Sequence, residues 1–146
     1  MLKRLQHDYA GKPVRFLLVP CNQFAAQEPG SNAAIKVFAE QSVRLGPGSS
    51  VLMLAKSNLN GVACQFRGPG ACTPASTECC AQNDPVYEYL LARAPPGTIK
   101  WNFDKIVVGT DGVPVSGGSI LHGDALDAKL VGVIDRLLPA ARRRAA

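Results

Sequence analysis

The chain has 146 residues, of which 47% are hydrophobic and 18% are charged, and its net charge is +5. A chain of this size and composition can bury a core of its own, so we expect residues 1–146 to form a single globular domain. The same totals exclude a disordered or fibrous protein, and the longest apolar runs are too short to span a bilayer.

The two ends of the chain carry little functional signal. Residues 1–8 contain no apolar stretch of the kind found in secretory signals, so we expect a cytoplasmic location. The basic tail over residues 139–146 includes Arg142-Arg143-Arg144. We interpret it as a solvated terminus, because no aromatic or groove-reading element accompanies it. Neither nucleic acid nor a membrane is therefore expected as a partner.

The N-terminal part of the chain predicts a helix, a strand and a loop. Apolar residues recur at helical spacing over residues 2–9, and Gly11 follows them, which predicts a helix that stops there. The nearly continuous apolar run Val14–Val19 predicts a short buried strand. A loop over residues 21–30 comes next.

A second helix and a second strand are predicted after this loop. Ser31 and Asn32 supply an N-cap for a helix that reaches about Gln41. The apolar face of this helix is predicted to hold Ile35, Phe38 and Ala39. The run Val51–Ala55 is compatible either with another buried strand or with part of an irregular segment.

Residues 62–83 differ in character from the rest of the chain. They are rich in Gly, Pro, Ser, Thr and Cys, show no periodicity, and are interpreted as a long surface insertion. Four of the five cysteines lie here: Cys64, Cys72, Cys79 and Cys80. In a chain without a secretory signal, these thiols are expected to be reduced rather than paired in a disulfide framework.

A third helix is predicted to begin at Asp84 and Pro85, because aspartate is a good N-cap and proline suits the first helical position. It is predicted to end before Pro95. Its apolar face would hold Val86, Tyr89, Leu90 and Ala94.

The C-terminal part predicts a hairpin and a final helix. The turn Asp111-Gly112 separates the apolar runs 106–108 and 113–115, a pattern typical of a β-hairpin, although Pro114 favours an edge position for the second strand. Apolar residues at helical spacing predict a last helix over about 124–138. The order of elements indicates an α/β protein.

Two runs of residues resemble those of the glutathione peroxidase family. The first is Pro20-Cys21-Asn22-Gln23-Phe24, continued by Gln27-Glu28-Pro29-Gly30-Ser31-Asn32. The second is Ile99-Lys100-Trp101-Asn102-Phe103-Asp104-Lys105. With smaller matches between them in the same order, the resemblance covers residues 1–61 and 84–138. It implies a thioredoxin-like, three-layer α/β/α fold.

The resemblance also implies three site residues. Members of the family reduce hydroperoxides with a cysteine thiolate or a selenolate, which a glutamine, a tryptophan and an asparagine stabilise. By motif position these residues are Gln27, Trp101 and Asn102. All three side chains donate hydrogen bonds without bringing a charge, and such donors lower the pKa of the nucleophile. Taken singly, they could equally be a surface loop residue, a core aromatic and a turn residue.

The sequence departs from the family at the nucleophile. The family's peroxidatic residue lies in a run of the type Asn-Val-Ala-Ser-x-Cys-Gly-x-Thr, in a central strand and the turn after it, and the chain contains no such run. Cys21 belongs to a different motif, so it does not replace that nucleophile. We therefore expect an N-terminally truncated member that lacks its first central strand. As it stands, it is expected to be inactive, and to fold poorly or recruit another strand edge.

The reducing co-substrate is left open between glutathione and thioredoxin, and no further cofactor is expected. Where thioredoxin-dependent members have a resolving cysteine, this chain has Glu40. An arginine that family members carry after the second hairpin strand, where it could clamp a glutathione carboxylate, is replaced by Ser116-Gly117-Gly118-Ser119.

A second hypothesis makes the chain a non-catalytic relic of the fold that acts in interaction, or in thiol or metal sensing through Cys64, Cys72, Cys79 and Cys80. The spacing of these cysteines matches no paired zinc pattern, so the indication of metal binding is weak. The first hypothesis, a hydroperoxide reductase of the oxidative-stress response, depends on the two family runs instead.

Overall fold

The computed structural model describes residues 1–57, 59, 85–94, 99–115, 120–121 and 128–139. These residues form both helices and strands, which confirms the α/β class. In chain order, the elements are α1 (Leu2–Asp8), β1 (Phe16–Leu18), α2 (Asn32–Glu40), β2 (Val51–Met53), α3 (Pro85–Leu91), β3 (Lys105–Ile106), β4 (Ile120–Leu121) and α4 (Ala128–Leu137).

The chain divides into two compact units, Leu2–Pro85 and Val86–Ala146 together with Met1. Each unit is described by itself below. The single domain over residues 1–146 stays a prediction. The insertion predicted at 62–83 and all but the first residue of the predicted tail at 139–146 lie outside the described residues.

The first unit is built on a parallel pair of strands. β1 and β2 pair in parallel with Phe16 opposite Val51 and Leu18 opposite Met53. Parallel neighbours require a crossover connection, and α2 lies within it. Val51 is completely buried, and the ring of Tyr9, which follows α1, meets Phe16 edge to face at a centroid distance of 5.9 Å. The strand predicted over Val14–Val19 is thus present, and the strand alternative for 51–55 is confirmed.

The prediction that these strands are buried is wrong for one face of the pair. Leu17 is 56% exposed, and Leu52 and Leu54 are exposed as well. The side chains of a strand alternate between two faces, so these leucines lie opposite the face that carries Val51. The apolar run indicated two covered faces, whereas among the described strand residues the face of Val51 is packed and the opposite face is exposed.

Helix α2 begins where its cap was predicted. The Ser31 hydroxyl accepts a hydrogen bond from the Ala34 amide at 3.3 Å, in the manner of an N-cap. The predicted apolar face is only partly correct, because Ile35 is buried whereas Phe38 is 68% exposed. Ile35 is the one buried residue of α2, so the helix packs through a stripe too narrow to include Phe38.

A side-chain amide joins α1 to the segment that leads into β2. The Gln6 Nε2 group donates to the Arg44 carbonyl at 2.7 Å and to the Ser49 hydroxyl at 3.0 Å, and Gln6 Oε1 accepts from the Arg44 amide at 3.0 Å. The same Ser49 hydroxyl accepts from the Val51 amide at 2.9 Å. These bonds fix the backbone just before the buried strand residue Val51.

Helix α3 starts at Pro85 as predicted, and from Val86 onward it belongs to the second unit. Its predicted cap, Asp84, lies outside the described residues. The predicted apolar face is wrong for Val86 and Tyr89, which are both exposed. No residue of α3 is buried; the burial falls on Ala94, just beyond the helix. The Arg93 guanidinium lies over the Tyr89 ring, 4.0 Å from its centroid, so an arginine side chain rather than the core contacts this face of the ring.

The predicted hairpin is present. Val108 forms an antiparallel bridge with Pro114, and the Val115 amide donates to the Val107 carbonyl at 2.9 Å. Gly112 takes the left-handed conformation that the Asp-Gly turn requires. The antiparallel pairing continues in β3 and β4, where Lys105 lies opposite Leu121. The sequence patterns did not predict β4.

Helix α4 confirms the last predicted helix over residues 128–137; the predicted start at 124 lies outside the described residues. Leu130, Ile134 and, just after the helix, Leu138 are buried at the spacing of one helical face. Among the helices that the structure describes, none has the length and apolar character needed to cross a membrane.

Candidate active site

The first predicted site residue, Gln27, lies on the loop between β1 and α2. This loop, residues 20–31, is called the Gln27 loop below. It turns tightly, because Ala25 and Ala26 both have left-handed backbone angles with φ of 53° and 51°. The Gln27 amide donates to the Phe24 carbonyl at 3.3 Å and closes the turn, and the Gln27 side chain is exposed.

Two buried amide side chains brace the interior of the Gln27 loop. Asn22 Oδ1 accepts from the Glu28 amide at 2.9 Å, and Gln23 Oε1 accepts from the Leu59 amide at 2.7 Å. Both residues are more than nine-tenths buried. Their nitrogens, Asn22 Nδ2 and Gln23 Nε2, make no hydrogen bond in the structure. In the sequence these residues stand out only as parts of a motif, and no pattern predicts their bracing role.

A buried lysine reaches the same loop from the end of β2. Lys56 is only 4% exposed, and its ammonium donates to the carbonyl oxygens of Glu28 and Gly30, the first at 2.8 Å. No sequence pattern predicts the burial of Lys56, because one lysine after an apolar run normally indicates the solvated end of a strand.

Cys21 lies half-buried at the start of the Gln27 loop. Burial raises the pKa of its thiol above the ordinary value. The backbone N–H of Gln23 and the Lys56 ammonium act against this rise, and the Glu28 carboxylate adds to it. A thiol that resists ionisation is a poor nucleophile at neutral pH, in agreement with the prediction that Cys21 does not replace the peroxidatic residue.

The other two predicted site residues lie on a turn before β3. This turn, residues 99–104, is called the Trp101 turn below. Asp104 Oδ2 accepts from the Lys100 amide at 2.9 Å and, at the limit of hydrogen-bond distance, from the Trp101 amide at 3.5 Å. Phe103 has a left-handed backbone with φ of 63°, a strained conformation for an aromatic residue.

The Trp101 turn presents its tryptophan to solvent. Trp101 is 52% exposed and Asn102 is half-buried. A tryptophan whose only role is packing would be mostly buried, so the core-aromatic interpretation of Trp101 is wrong. Strain at Phe103 and an exposed indole in one short turn are typical of a functional segment.

The structure places the three predicted residues in two units. Gln27 belongs to the unit Leu2–Pro85, and Trp101 and Asn102 belong to the unit that contains Val86–Ala146. The structure brings Trp101 and Asn102 together on one turn. Their assembly with Gln27 around a single anion stays a prediction.

The four cysteines of the second hypothesis, Cys64, Cys72, Cys79 and Cys80, lie outside the described residues. Within the part of the chain that the structure does describe, no group of three or more histidine, cysteine, aspartate or glutamate side chains could hold a metal ion. Thiol or metal sensing by these cysteines therefore stays a hypothesis from sequence.

Comparison with known proteins places the chain among named relatives. The family model described as glutathione peroxidase matches residues 1–65. Over 105 residues, 71% of the chain, it is 35% identical to "Glutathione peroxidase 1, mitochondrial" of Chlamydomonas reinhardtii, and it covers 42% of that protein. Human "Glutathione peroxidase 6" is 33% identical over 121 residues, which are 78% of the chain and 52% of the human protein.

A bacterial relative shows the same partial coverage. "Hydroperoxy fatty acid reductase Gpx2" of Synechocystis is 30% identical over 115 residues, which are 79% of the chain and 58% of that protein. The chain thus spans about half the length of the curated relatives it matches. No solved structure matches it. The agreement of a family model with relatives from an alga, a bacterium and a human shows that this chain belongs to the glutathione peroxidase family, whose fold is thioredoxin-like.

Proposed function

We propose that this chain supplies the anion-stabilising side chains of a thiol-dependent hydroperoxide reductase. Gln27, Trp101 and Asn102 would donate hydrogen bonds to the peroxidatic thiolate or selenolate. The observation that carries the proposal is the exposure of the Trp101 side chain on a turn braced by Asp104. A side chain held in this way can meet a reacting group, whereas a packed tryptophan cannot.

The chemistry assigned to these donors is the stabilisation of a negative charge. In the reaction, the chalcogen anion attacks one peroxide oxygen and the O–O bond breaks. The attacked oxygen stays on the chalcogen as a sulfenic or selenenic acid, and the other leaves as an alkoxide or hydroxide that takes up a proton. Two thiols of the reducing co-substrate then return the chalcogen to its reduced state, with release of water and a disulfide. Uncharged hydrogen-bond donors lower the pKa of the nucleophile without forming an ion pair with it.

The proposed substrates are hydrogen peroxide and organic hydroperoxides. The name of the Synechocystis relative refers to hydroperoxy fatty acids, which supports the organic class. Glutathione or thioredoxin is the proposed reducing co-substrate, with no further cofactor, in a cytoplasmic response to oxidative stress. The choice between the two stays open. Glu40 stands where thioredoxin-dependent members have a resolving cysteine, and Ser116-Gly117-Gly118-Ser119 stands where an arginine could clamp a glutathione carboxylate.

The proposal includes the expectation that these 146 residues do not turn over peroxide by themselves, because they contain no run of the peroxidatic type. The first measurement is therefore peroxide consumption by the purified chain with glutathione or with a thioredoxin system. We expect no turnover above a protein-free control. Turnover that disappears in Trp101→Ala would contradict this expectation.

The second measurement tests the donors themselves. The chain is joined to a preceding segment from a family member that carries a peroxidatic cysteine, and peroxide consumption is measured again. We expect turnover that falls by about 10²-fold in Trp101→Ala or Gln27→Ala, the loss typical of removing one donor to a developing anion. Gln41→Ala changes an exposed glutamine outside the loop and is the matched control. A folded chimera without turnover would overturn the proposal.

A further inference from the structure

Lys56 combines burial with hydrogen bonds from its ammonium to the backbone of the Gln27 loop. It is 4% exposed, and the hydrogen-bond acceptors recorded for its ammonium are the carbonyl oxygens of Glu28 and Gly30. Its backbone amide donates to Asn32 Oδ1 at 2.8 Å. One residue thus connects the end of β2 to both the Gln27 loop and the first residue of α2.

Burying an ammonium has a free-energy cost that burying an apolar residue does not have. Removing the charge from water costs several kcal/mol, which the hydrogen bonds of the ammonium must offset. Lysine carries three donor hydrogens on a flexible stem, so a single ammonium can hold two carbonyls that point toward a common centre. A methionine of similar length would fill the same space but would leave both carbonyls without this donor.

The two carbonyls lie on either side of Pro29, directly after Gln27. The opposite side of the same loop is held at Asn22, whose Oδ1 accepts from the Glu28 amide. Glu28 is therefore fixed through its N–H by Asn22 and through its C=O by Lys56. With the next residue along the chain held at both backbone groups, the position of the Gln27 Cα is restricted, although the Gln27 side chain itself is exposed.

We propose that Lys56 is a positioning residue for Gln27: its buried ammonium clamps the carbonyls of Glu28 and Gly30 and so holds the Gln27 amide where an anion would meet it. This inference rests on the proposed function for the purpose of the clamp. The clamp itself involves no turnover and is testable without it.

The test compares Lys56→Met with Lys36→Met in the full chain labelled with ¹⁵N. Lys36 lies on the surface of α2 with its ammonium 3.9 Å from Glu40, and it is the matched control. In Lys56→Met we expect the Gln27 side-chain amide signals to move to the values of an unstructured glutamine. Backbone amides of residues 22–31 should exchange at least about tenfold faster, and those of α1 should stay unchanged. Lys36→Met should leave all of these signals as they are.

Three results would overturn the proposal. The first is a folded Lys56→Met chain with unchanged Gln27 signals. The second is a uniform loss of protection over α1 and the Gln27 loop, which would mean that Lys56 only stabilises the unit as a whole. If Lys56→Met does not fold, proton exchange is measured at the lysine ammonium groups of the wild-type chain. The Nζ protons of Lys56 should exchange at least about tenfold more slowly than those of Lys36. Equal exchange rates would be the third result that overturns the proposal.

These outcomes are separable from those of the proposed function. A chimera without peroxidase turnover leaves the ¹⁵N measurements on Lys56 unaffected, because they report order in the Gln27 loop rather than chemistry. In a chimera that does turn over peroxide, Lys56→Met should lower the rate when Gln27 is unchanged. The same substitution should have no further effect in a chimera that already carries Gln27→Ala. Equal effects in both backgrounds would separate Lys56 from Gln27 and contradict the clamp alone.

Discussion

At the scale of single residues, Cys21 shows how the environment decides the chemistry of a motif position. Burial raises the pKa of its thiol, and the local donor from Gln23 and the charge of Lys56 do not offset this. The same thiol beside an exposed cation would be expected to ionise more readily. The family motif therefore contains a cysteine that this environment keeps protonated.

The raised pKa of Cys21 predicts how stability depends on pH. The unfolded thiol ionises first, at about pH 8.5, whereas the folded thiol resists ionisation. The contribution of Cys21 is therefore fully present below the unfolded pKa and is lost as the pH rises from there through the raised folded pKa. Urea unfolding with reductant at about pH 7 and about pH 10 should show a smaller decrease in the free energy of unfolding for Cys21→Ser than for wild type. Equal decreases would contradict the assigned pKa direction.

Gln6 is a second residue whose role comes from its contacts. Its amide makes three hydrogen bonds to Arg44 and Ser49, so Gln6→Ala should lower the free energy of unfolding by about 1–3 kcal/mol. Gln41→Ala removes an exposed glutamine and should change it by less than about 0.5 kcal/mol. Urea titration of both variants is the measurement. If Gln6→Ala lowers the free energy of unfolding no more than Gln41→Ala does, the hydrogen bonds of Gln6 add no net stability.

At the scale of elements, the Trp101 turn depends on one carboxylate. Asp104 holds the backbone amide of Lys100 and lies within reach of that of Trp101, and this contact compensates in part for the strained backbone at Phe103. The neighbouring hairpin uses the same device, because Asp111 Oδ1 accepts from the Val113 amide at 3.0 Å. The two aspartates therefore form a matched pair for experiment.

Trp101 is the only tryptophan of the chain, so its fluorescence reports the Trp101 turn directly. In Asp104→Ala we expect a lower anisotropy and a shift of the emission to longer wavelength, because the turn loses its acceptor and the indole moves more freely. Asp104→Asn keeps an acceptor oxygen and should lie closer to wild type. Asp111→Ala should leave the emission unchanged. An Asp104→Ala spectrum identical to wild type would show that Asp104 does not order the turn.

At the scale of the whole molecule, one face of the β1–β2 pair in the unit Leu2–Pro85 is apolar and exposed. Leu17, Leu52 and Leu54 lie on this face and are all exposed. Contiguous exposed apolar residues commonly mark an interaction surface or a site of aggregation. The expectation that the chain folds poorly or recruits another strand edge stays a prediction.

This face predicts association that depends on protein concentration. Replacing Leu17 and Leu52 by threonine keeps residues that favour strands and removes the apolar surface, so the double variant should stay monomeric at higher concentration in sedimentation velocity. Its free energy of unfolding should differ from wild type by less than about 1 kcal/mol, because both side chains are exposed. Val51→Thr, on the buried face, should cost clearly more. Equal association of wild type and double variant would exclude this face as its cause.

Comparison of the predicted and observed elements shows which inferences from sequence were sound. The start of α2 at its Ser31 cap, the start of α3 at Pro85 and the Asp-Gly hairpin were predicted correctly, because each depends on contacts within a few residues. Phe38 and Tyr89 were wrongly predicted to lie on the packed faces of their helices, because both are exposed. An apolar residue at helical spacing shows which face could pack, and packing itself requires a neighbouring element on that side.

The sequence by itself determined the family, through two motif runs, and the types of most elements, through spacing and caps. The motif runs also identified Gln27, Trp101 and Asn102. Only the tertiary structure decided which faces are covered, that Lys56 is buried against two carbonyls, and that the Trp101 side chain is exposed rather than packed. The physical reason is range: caps, turns and periodicity act over a few residues, whereas burial depends on segments distant in the chain.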